Sequence, residues 1–192
     1  MLIERLFYPI ETLGIGKRIA LWTCGCSKCC PKCISPEIWE SDIKKDVPVP
    51  QLIKAIKKII RENEVDGITI SGGDPLEQAE EVLELISHLQ EICHDILLYT
   101  GFTLPELCTV LSREQYKRLK KDIAVLIDGR YIDELNDNKS PLIGSTNQMV
   151  HFFDESLKPK YDEYCRLNER RVQNIFYDKN MISVGIHNRE ER

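Results

Sequence analysis

The sequence predicts an α/β fold: a partial, open (β/α) barrel of parallel strands, followed by a C-terminal β-hairpin. Short apolar strands alternate with stretches of helical periodicity, which is the pattern of a parallel sheet with helical crossovers. Hydrophobic residues make up 42% of the chain, enough for a packed core. About four to six strands fit into the 192 residues, whereas a full eight-unit barrel needs roughly 250.

The strands and helices follow one another in a regular order. An edge strand at 2–10 is joined through the flexible Gly14-Ile-Gly16 link to a buried strand at 19–23. The later elements are strands at 67–70, 96–99 and 123–127, and helices at 52–60, at 76–90 and from Leu104.

Noteworthy residues follow four of these strands. They are the cysteine run after 19–23, the turn Gly72-Gly73-Asp74, the sequence Tyr99-Thr100-Gly101, and Asp128-Gly129. In parallel sheets, ligands bind at the carboxyl ends of the strands. We therefore expect these residues to meet at one rim of the sheet.

The tail has a different character. Residues 172–177 and 181–186 are two apolar runs separated by Asp178-Lys-Asn180, which predicts a terminal β-hairpin. We expect residues 1–151 to form the partial-barrel domain, with its cysteine loop at 24–34. Residues 152–192 form an extension, either part of the same domain or a cap on it.

Charge and composition restrict the function. A net charge of −5 disfavours general binding to nucleic acid, which needs a basic face. No apolar run is long enough to span a membrane and no signal peptide is evident, so we expect a cytoplasmic protein. In a reducing compartment disulfides are not expected, and the scattered Cys93, Cys108 and Cys165 are expected to be ordinary core residues.

Five of the eight cysteines lie within ten residues: Cys24, Cys26, Cys29, Cys30 and Cys33. Structural zinc is disfavoured because the two C-x-x-C pairs abut, and a thioredoxin-like site would leave three thiols unexplained. A ferredoxin would need a fourth cysteine from elsewhere in the chain. A cubane cluster held by three thiolates, with one open iron, fits best. The spacing alone allows either Cys29 or Cys30 as the middle ligand.

Several motifs together resemble the radical S-adenosylmethionine (SAM) enzymes, and more closely the activating-enzyme family of anaerobic ribonucleotide reductase. The resemblance covers most of residues 14–151. Its parts are Gly-Cys-x3-Cys-Pro-x-Cys at 25–33, Thr-Ile-Ser-Gly-Gly-Asp-Pro-Leu at 69–76, Tyr-Thr-Gly-Phe at 99–102, Val-Leu-Ile-Asp-Gly-Arg at 125–130 and Gly-Ser-Thr-Asn-Gln at 144–148.

The resemblance implies a ligand set and a cofactor site. Cys26, Cys30 and Cys33 would hold a [4Fe-4S] cluster, which leaves Cys24 and Cys29 as extra thiols that the family usually lacks. Residues expected near SAM are Lys32, Ile34, Gly72, Gly73, Asp74, Thr100 and Asp128.

Each of these residues has a role that the resemblance or its position implies. By the resemblance, the backbone at Lys32 and Ile34 would lie near the adenine of SAM. Gly72 and Gly73 would let their backbone approach the methionine amino group. Asp74 would neutralise that ammonium or cap the following helix. Thr100 and Asp128 would face the ribose or carboxylate, or serve as plain turn residues. Asn147 and Gln148 would contact SAM or the partner, or close a loop.

The resemblance also implies a reaction. Reductive cleavage of SAM would give methionine and a 5′-deoxyadenosyl radical, which removes a hydrogen atom from a glycine of a partner such as anaerobic ribonucleotide reductase. Flavodoxin or ferredoxin would supply the electron. The alternatives are a radical SAM enzyme acting on another peptide or a small molecule, and a non-enzymatic iron–sulfur electron-transfer module.

Overall fold

The computed structural model describes residues 1–167, 169–178 and 180–191. Within them a six-stranded sheet and a two-stranded hairpin accompany five α-helices. The strands are β1 (Ile3–Ile10), β2 (Arg18–Thr23), β3 (Gly67–Gly72), β4 (Ile96–Tyr99), β5 (Val125–Asp128), β6 (Met149–Phe152), β7 (Val172–Tyr177) and β8 (Asn180–Gly185). The helices are α1 (Val49–Glu62), α2 (Ala79–Leu89), α3 (Leu104–Val110), α4 (Arg113–Asp122) and α5 (Lys158–Arg166).

The six strands lie in the sheet in the order of the chain. Strands β2 to β5 are parallel, and β1 and β6 pair antiparallel at the two edges. The predicted mixed α/β class, the parallel strands and the C-terminal hairpin are confirmed. Within the described ranges β1 and β6 do not pair with each other, so the sheet does not close into a barrel.

Several elements differ from the sequence prediction, among them helix α5, which was not predicted. The antiparallel strand β6 was not predicted: Val150 and Phe152 favour a strand, but a run of four residues gives too short a periodic signal to be separated from a loop. The helix predicted to begin at Leu76 is a 3-10 turn over Pro75–Gln78, and α2 begins only at Ala79. Asp74 caps this turn by accepting a hydrogen bond from the Leu76 N–H, which makes the entry tighter than an α-helix.

The sheet has two covered faces. Along β2, Ile19 and Leu21 point to the face covered by α1, α2 and α4, whereas Ala20 and Trp22 point to the other face. The second face is covered by the C-terminal extension. Val184 of β8 packs near Trp22, and Tyr161 of α5 packs in a cluster with residues of β4 and β5.

A buried polar group fixes the extension to the sheet. The Arg18 side chain is fully buried, and its Nη2 lies 3.0 Å from Asp95 Oδ1. The Tyr161 hydroxyl donates to that same Asp95 oxygen at 2.7 Å. Buried polar groups are stable only when they are paired, so these contacts hold α5 against the sheet.

None of the helices within the described residues is long and apolar enough to cross a membrane.

Candidate functional site

The cysteine loop follows the end of β2, and backbone hydrogen bonds join its first residues to the segment at 38–39. The Gly25 N–H donates to the Ile38 carbonyl at 2.9 Å, and the Cys26 N–H donates to the Trp39 carbonyl at 2.8 Å. Gly25 has φ +103°, a conformation that glycine adopts at little cost. The loop is therefore anchored at its start.

A cavity of about 180 Å³ lies beneath this loop, at the carboxyl ends of the parallel strands. Cys26, Cys30 and Cys33 all line it, together with residues that follow β3, β4 and β5. The predicted meeting of the strand-end motifs at one rim is thus present. The cavity is where a ligand of this sheet is expected to bind.

The two other thiols of the run do not line this cavity. Cys24 is buried, and its Sγ lies 2.9 Å from the Glu40 carbonyl. Cys29 is exposed and adopts a left-handed backbone with φ +43°. Cys93, Cys108 and Cys165 are also absent from the cavity lining. All eight cysteines, each within the described ranges, are free thiols.

The three thiols that line the cavity are soft ligands of the kind that iron–sulfur clusters take. Among the described residues, no three Cys, His, Asp or Glu side chains converge on a point that would hold one metal ion. Three separate thiols around one cavity match a cubane, whose corners are held by different sulfurs. Burial raises the pKa of the Cys26 and Cys30 thiols, so ligation must release their protons.

Gly72 and Gly73 join the end of β3 to the cysteine loop. The Gly73 N–H donates to the Thr23 carbonyl at 2.9 Å. A Cβ on Gly72 would lie 2.1 Å from the Thr23 nitrogen, and one on Gly73 would lie 2.1 Å from the Gly25 carbonyl oxygen. Both glycines line the cavity. The close approach that excludes a side chain is to the end of β2 at Gly72 and to the cysteine loop at Gly73.

Asp74 is fully buried and does not line the cavity. Its Oδ1 accepts hydrogen bonds from the Thr100 hydroxyl at 2.8 Å and from the Leu76 N–H at 3.1 Å. Its Oδ2 accepts from the Gly101 N–H at 2.9 Å. The carboxylate is thus engaged within the protein, which corresponds to its predicted capping role rather than to contact with an ammonium in the cavity.

Lys28 is a site residue that the sequence reasoning missed. Its Nζ lies 2.9 Å from Asp74 Oδ2, 2.8 Å from Glu77 Oε1 and 3.1 Å from the centre of the Phe102 ring, with the side chain only 2% exposed. Glu77 also accepts from the Ser27 N–H and hydroxyl. Burial raises the pKa of Glu77, but the Lys28 and Ser27 hydrogen bonds leave it below its ordinary value.

Thr100 and Asp128 have different places. Thr100 lines the cavity, although its hydroxyl is directed to Asp74. Asp128 is buried and does not line the cavity. Its Oδ2 accepts from the Leu104 N–H at 2.6 Å and its Oδ1 from the Met149 N–H at 3.2 Å. The Asp128 carboxylate therefore joins β5 to α3 and β6. This corresponds to the second of its two predicted roles, that of a turn residue.

Known proteins match most of this chain. Residues 12–151 match a family described as a 4Fe-4S single cluster domain. The anaerobic ribonucleoside-triphosphate reductase-activating protein of Haemophilus influenzae is 33% identical over 77% of this chain and 96% of its own length. Proteins of the same name from Vibrio cholerae (34%; 77% and 96%) and Escherichia coli K12 (31%; 76% and 95%) are similarly related.

The chain belongs to the family of anaerobic ribonucleoside-triphosphate reductase-activating proteins. The predicted family and its iron–sulfur domain are confirmed. The 4Fe-4S match ends at residue 151, so α5 and the β7–β8 hairpin of this activating-family member lie outside it.

The two predicted SAM contacts on either side of Cys33 differ in their position relative to the cavity. Ile34 is 44% exposed and lines the cavity. Lys32 is exposed, has a left-handed backbone with φ +61°, and is not among the lining residues.

The far wall of the cavity comes from the loop after β5. Arg130 and Tyr131 line the cavity and were not singled out from the sequence. Gln148 also lines it, while its Nε2 donates to the Gly129 carbonyl at 2.9 Å and its Oε1 accepts from the Gly144 N–H at 2.8 Å. Asn147 lies off the cavity and donates to the Arg130 carbonyl at 2.8 Å. Asn147 and Gln148 thus close the loop, which is one of the roles predicted for them.

Proposed function

We propose that this chain is a radical SAM enzyme that generates a glycyl radical on an anaerobic ribonucleoside-triphosphate reductase. The observation that carries the proposal is the position of the thiols. Three of the five clustered cysteines line one cavity at the carboxyl ends of the strands, and the domain that contains them matches a 4Fe-4S family. The names of the relatives supply the reductase as the partner.

The proposed ligands of the cluster are Cys26, Cys30 and Cys33. When bound, the cluster and SAM supply the one-electron chemistry that splits the carbon–sulfur bond, giving methionine and, after hydrogen abstraction from the glycine Cα, 5′-deoxyadenosine. Flavodoxin or ferredoxin is the proposed electron donor. The protein contributes position, exclusion of water and electrostatic tuning.

The chain's own residues give this site its form. Lys28 binds the cysteine loop to the Asp74 turn. The absence of a side chain lets Gly72 approach the end of β2 and lets Gly73 approach the loop. Among the predicted SAM contacts, Ile34, Gly72, Gly73 and Thr100 line the cavity and are the proposed contacts. Asp74 acts by orienting Thr100 and Gly101.

An open sheet suits a protein substrate. We propose that strands β2 to β5 form a partial barrel whose open side admits a loop of the partner. We also propose residues 1–151 as the radical SAM domain, with 152–192 packed into the same unit. The contacts of Tyr161 and Val184 with the sheet support this division.

The test compares two adjacent thiols. After anaerobic reconstitution with iron and sulfide, we expect Cys30→Ala to lose the cubane absorbance and the reductive release of 5′-deoxyadenosine from SAM. The matched control, Cys29→Ala, alters an exposed thiol outside the cavity and should keep both. The opposite pattern would contradict the ligand assignment. A cluster that needs four cysteines and leaves SAM intact would instead indicate an electron-transfer module.

The partner is tested separately. Wild-type protein, SAM and a reductant are mixed with the anaerobic reductase of the same genome, and the glycyl radical is measured by electron paramagnetic resonance. SAM cleavage without any radical on the reductase would indicate a different peptide or small-molecule substrate.

A further inference from the structure

One buried arginine joins the C-terminal extension to the loop between β5 and β6. Arg170 lies between α5 and β7, outside the family match, and its side chain is only 3% exposed. Its Nε donates to the Ser140 carbonyl at 2.9 Å, and its Nη2 donates to the Ile143 carbonyl at 3.1 Å. Its Nη1 donates to Asn136 Oδ1 at 2.7 Å and to the His187 carbonyl at 3.0 Å. A rigid guanidinium with its donors engaged in this way fixes the loop against the segment that follows the hairpin.

The same loop holds a residue of the cavity wall. Tyr131 lines the cavity, and its hydroxyl accepts from Nδ2 of the buried Asn136 at 3.2 Å. That hydroxyl donates to Asp133 Oδ1 at 2.7 Å, while the other oxygen of Asp133 accepts from Arg189 Nε at 2.9 Å. Two arginines of the extension, Arg170 and Arg189, thus hold the side chain of Tyr131 through one intermediate residue each.

The backbone of Tyr131 is held as well, and it faces a proposed cluster ligand. Burial raises the pKa of the Cys30 thiol, and a hydrogen bond from the Tyr131 backbone opposes this rise. A hydrogen bond that favours the thiolate comes from a donor, which here is the Tyr131 N–H. The carbonyl of the same peptide unit belongs to Arg130 and accepts from Asn147 Nδ2 at 2.8 Å. The two groups of a trans peptide point to opposite sides, so the unit is fixed from both.

An N–H directed at a ligand sulfur affects the cluster that the sulfur holds. Hydrogen bonds to the sulfurs are among the factors that set the reduction potential of an iron–sulfur cluster. The reduced cluster carries one more negative charge, so a donor stabilises it more than the oxidised cluster and raises the potential. Groups that orient the surroundings of a ligand therefore tune a metal site without touching the metal.

Resting on the proposed function and its cluster ligands, we infer that Arg170 is a positioning residue for the cluster. It fixes the loop after β5 so that the Tyr131 N–H stays directed at the sulfur of Cys30, and it thereby raises the reduction potential. A part of the chain that the 4Fe-4S match does not include thus supports the cluster site.

Two neighbouring arginines test the inference. Arg170→Met removes the buried guanidinium, and the control Arg171→Met removes the same charge from an exposed side chain. Both variants are reconstituted anaerobically with iron and sulfide, and the potential is measured without SAM by a redox titration followed by electron paramagnetic resonance. At a fixed potential we expect the reduced-to-oxidised ratio in Arg170→Met to be on the order of tenfold lower than in the control. This ratio corresponds to a shift of about 59 mV for one electron.

A second measurement needs no cofactor. Amide hydrogen exchange over 130–136 in the cofactor-free proteins reports whether the loop is held. We expect exchange in Arg170→Met to be on the order of tenfold faster than in Arg171→Met, because the loop loses hydrogen bonds to a buried charged group.

A further variant keeps the test decisive if Arg170→Met does not fold. Tyr131→Phe removes the hydroxyl that Asn136 and Asp133 hold and keeps the backbone N–H. Its potential should shift in the same direction, because the Tyr131 backbone is then held less firmly.

The outcomes separate this inference from the proposed function. A potential in Arg170→Met equal to that in Arg171→Met would overturn the positioning role, as would equal exchange. If Arg170→Met does not fold, a wild-type potential in Tyr131→Phe would overturn it. A wild-type protein that forms the cubane but leaves SAM intact would overturn the proposed function alone, because the comparison of potentials needs only the cluster.

Discussion

At the scale of single residues, a buried lysine forms the main ion pairs beside the cavity. This lysine, Lys28, lies in the sequence between the proposed cluster ligands Cys26 and Cys30. Lys28 lies within 2.9 Å of a carboxylate oxygen of Asp74 and of Glu77, and it is almost fully buried. Coulomb attraction is stronger away from water, and an unpaired buried charge is costly. Lys28 therefore joins the cysteine loop to the turn after β3 in a way that a neutral side chain cannot.

Replacing this cation should destabilise the protein before any cofactor is involved. We expect Lys28→Met to lower the free energy of unfolding by about 3 kcal/mol, because it leaves the Asp74 carboxylate buried without its cation. Urea unfolding of the cofactor-free protein measures this. The exposed Lys117 of α4 provides the control, and Lys117→Met should change stability by less than about 0.5 kcal/mol. Equal stabilities of the two variants would show that the pairing contributes nothing.

Gly73 makes a second prediction at this scale. A methyl group there would lie 2.1 Å from the Gly25 carbonyl oxygen, which is backbone and cannot rotate away. We expect Gly73→Ala to cost about 3 kcal/mol through overpacking, and to shift the cysteine loop. In Gly101→Ala the nearest atom is Lys28 Cγ at 3.2 Å, which must shift by only a few tenths of an ångström, so the cost should be clearly smaller. Thermal unfolding of both variants makes the comparison, and a reversed order would contradict the steric argument.

At the scale of elements, the extension is joined to the sheet at two separated places. Tyr161 of α5 bonds to Asp95 beside the buried Arg18, and the hairpin packs on the opposite end of the same face near Trp22. The face that the crossover helices leave uncovered is thereby filled. This packing accounts for the apolar residues on both faces of the central strands, as parallel sheets require.

Removing the Tyr161 hydroxyl tests whether its hydrogen bond to Asp95 holds α5 on the sheet. Tyr161→Phe should lower the free energy of unfolding by about 1–3 kcal/mol, because Asp95 loses a buried hydrogen-bond donor. Tyr164→Phe, on the same helix but not bonded to Asp95, is the matched control and should stay within about 0.5 kcal/mol of wild type. The anchor would be discounted if chemical denaturation did not distinguish the two variants.

At the scale of the whole molecule, the local periodicities predicted most of the architecture. The strand–helix alternation indicated the parallel sheet, and the residues after each strand indicated the rim where the cavity lies. Lys28 could not be predicted, because its partners Asp74 and Glu77 are nearly fifty residues away and no local pattern joins them. For the same reason the sequence predicted the hairpin but not the face on which it packs.

The same long-range pairing predicts how stability depends on pH. Glu77 has a pKa below its ordinary value of 4.5, and hydrogen bonds likewise lower the pKa of Glu80, Glu106, Asp133 and Asp154. A carboxylate whose pKa is lower in the folded than in the unfolded protein stabilises the fold at pH values above its unfolded pKa. That contribution to stability is lost as the pH falls through the folded pKa. The free energy of unfolding should therefore be steady near pH 7 and fall below about pH 4.5.

The glutamate that meets Lys28 should account for part of this acid sensitivity. In Glu77→Gln the position no longer titrates, so the decline between pH 5 and pH 3, roughly the range below the ordinary glutamate pKa, should be shallower than in wild type. Denaturation midpoints measured across that range decide the matter. A decline of equal steepness would mean that Glu77 contributes nothing to the pH dependence.

The order of the strands also has a consequence for how the protein is made. Because the sheet follows the order of the chain, each strand can join its neighbour as it leaves the ribosome. The helices that cover the first face emerge between the strands, whereas α5 and the hairpin emerge after all six strands of the sheet. Until then Trp22 and Val125 remain uncovered in the nascent chain. Aggregation during synthesis should therefore be most acute after β6 has emerged and before α5 and the hairpin have been added.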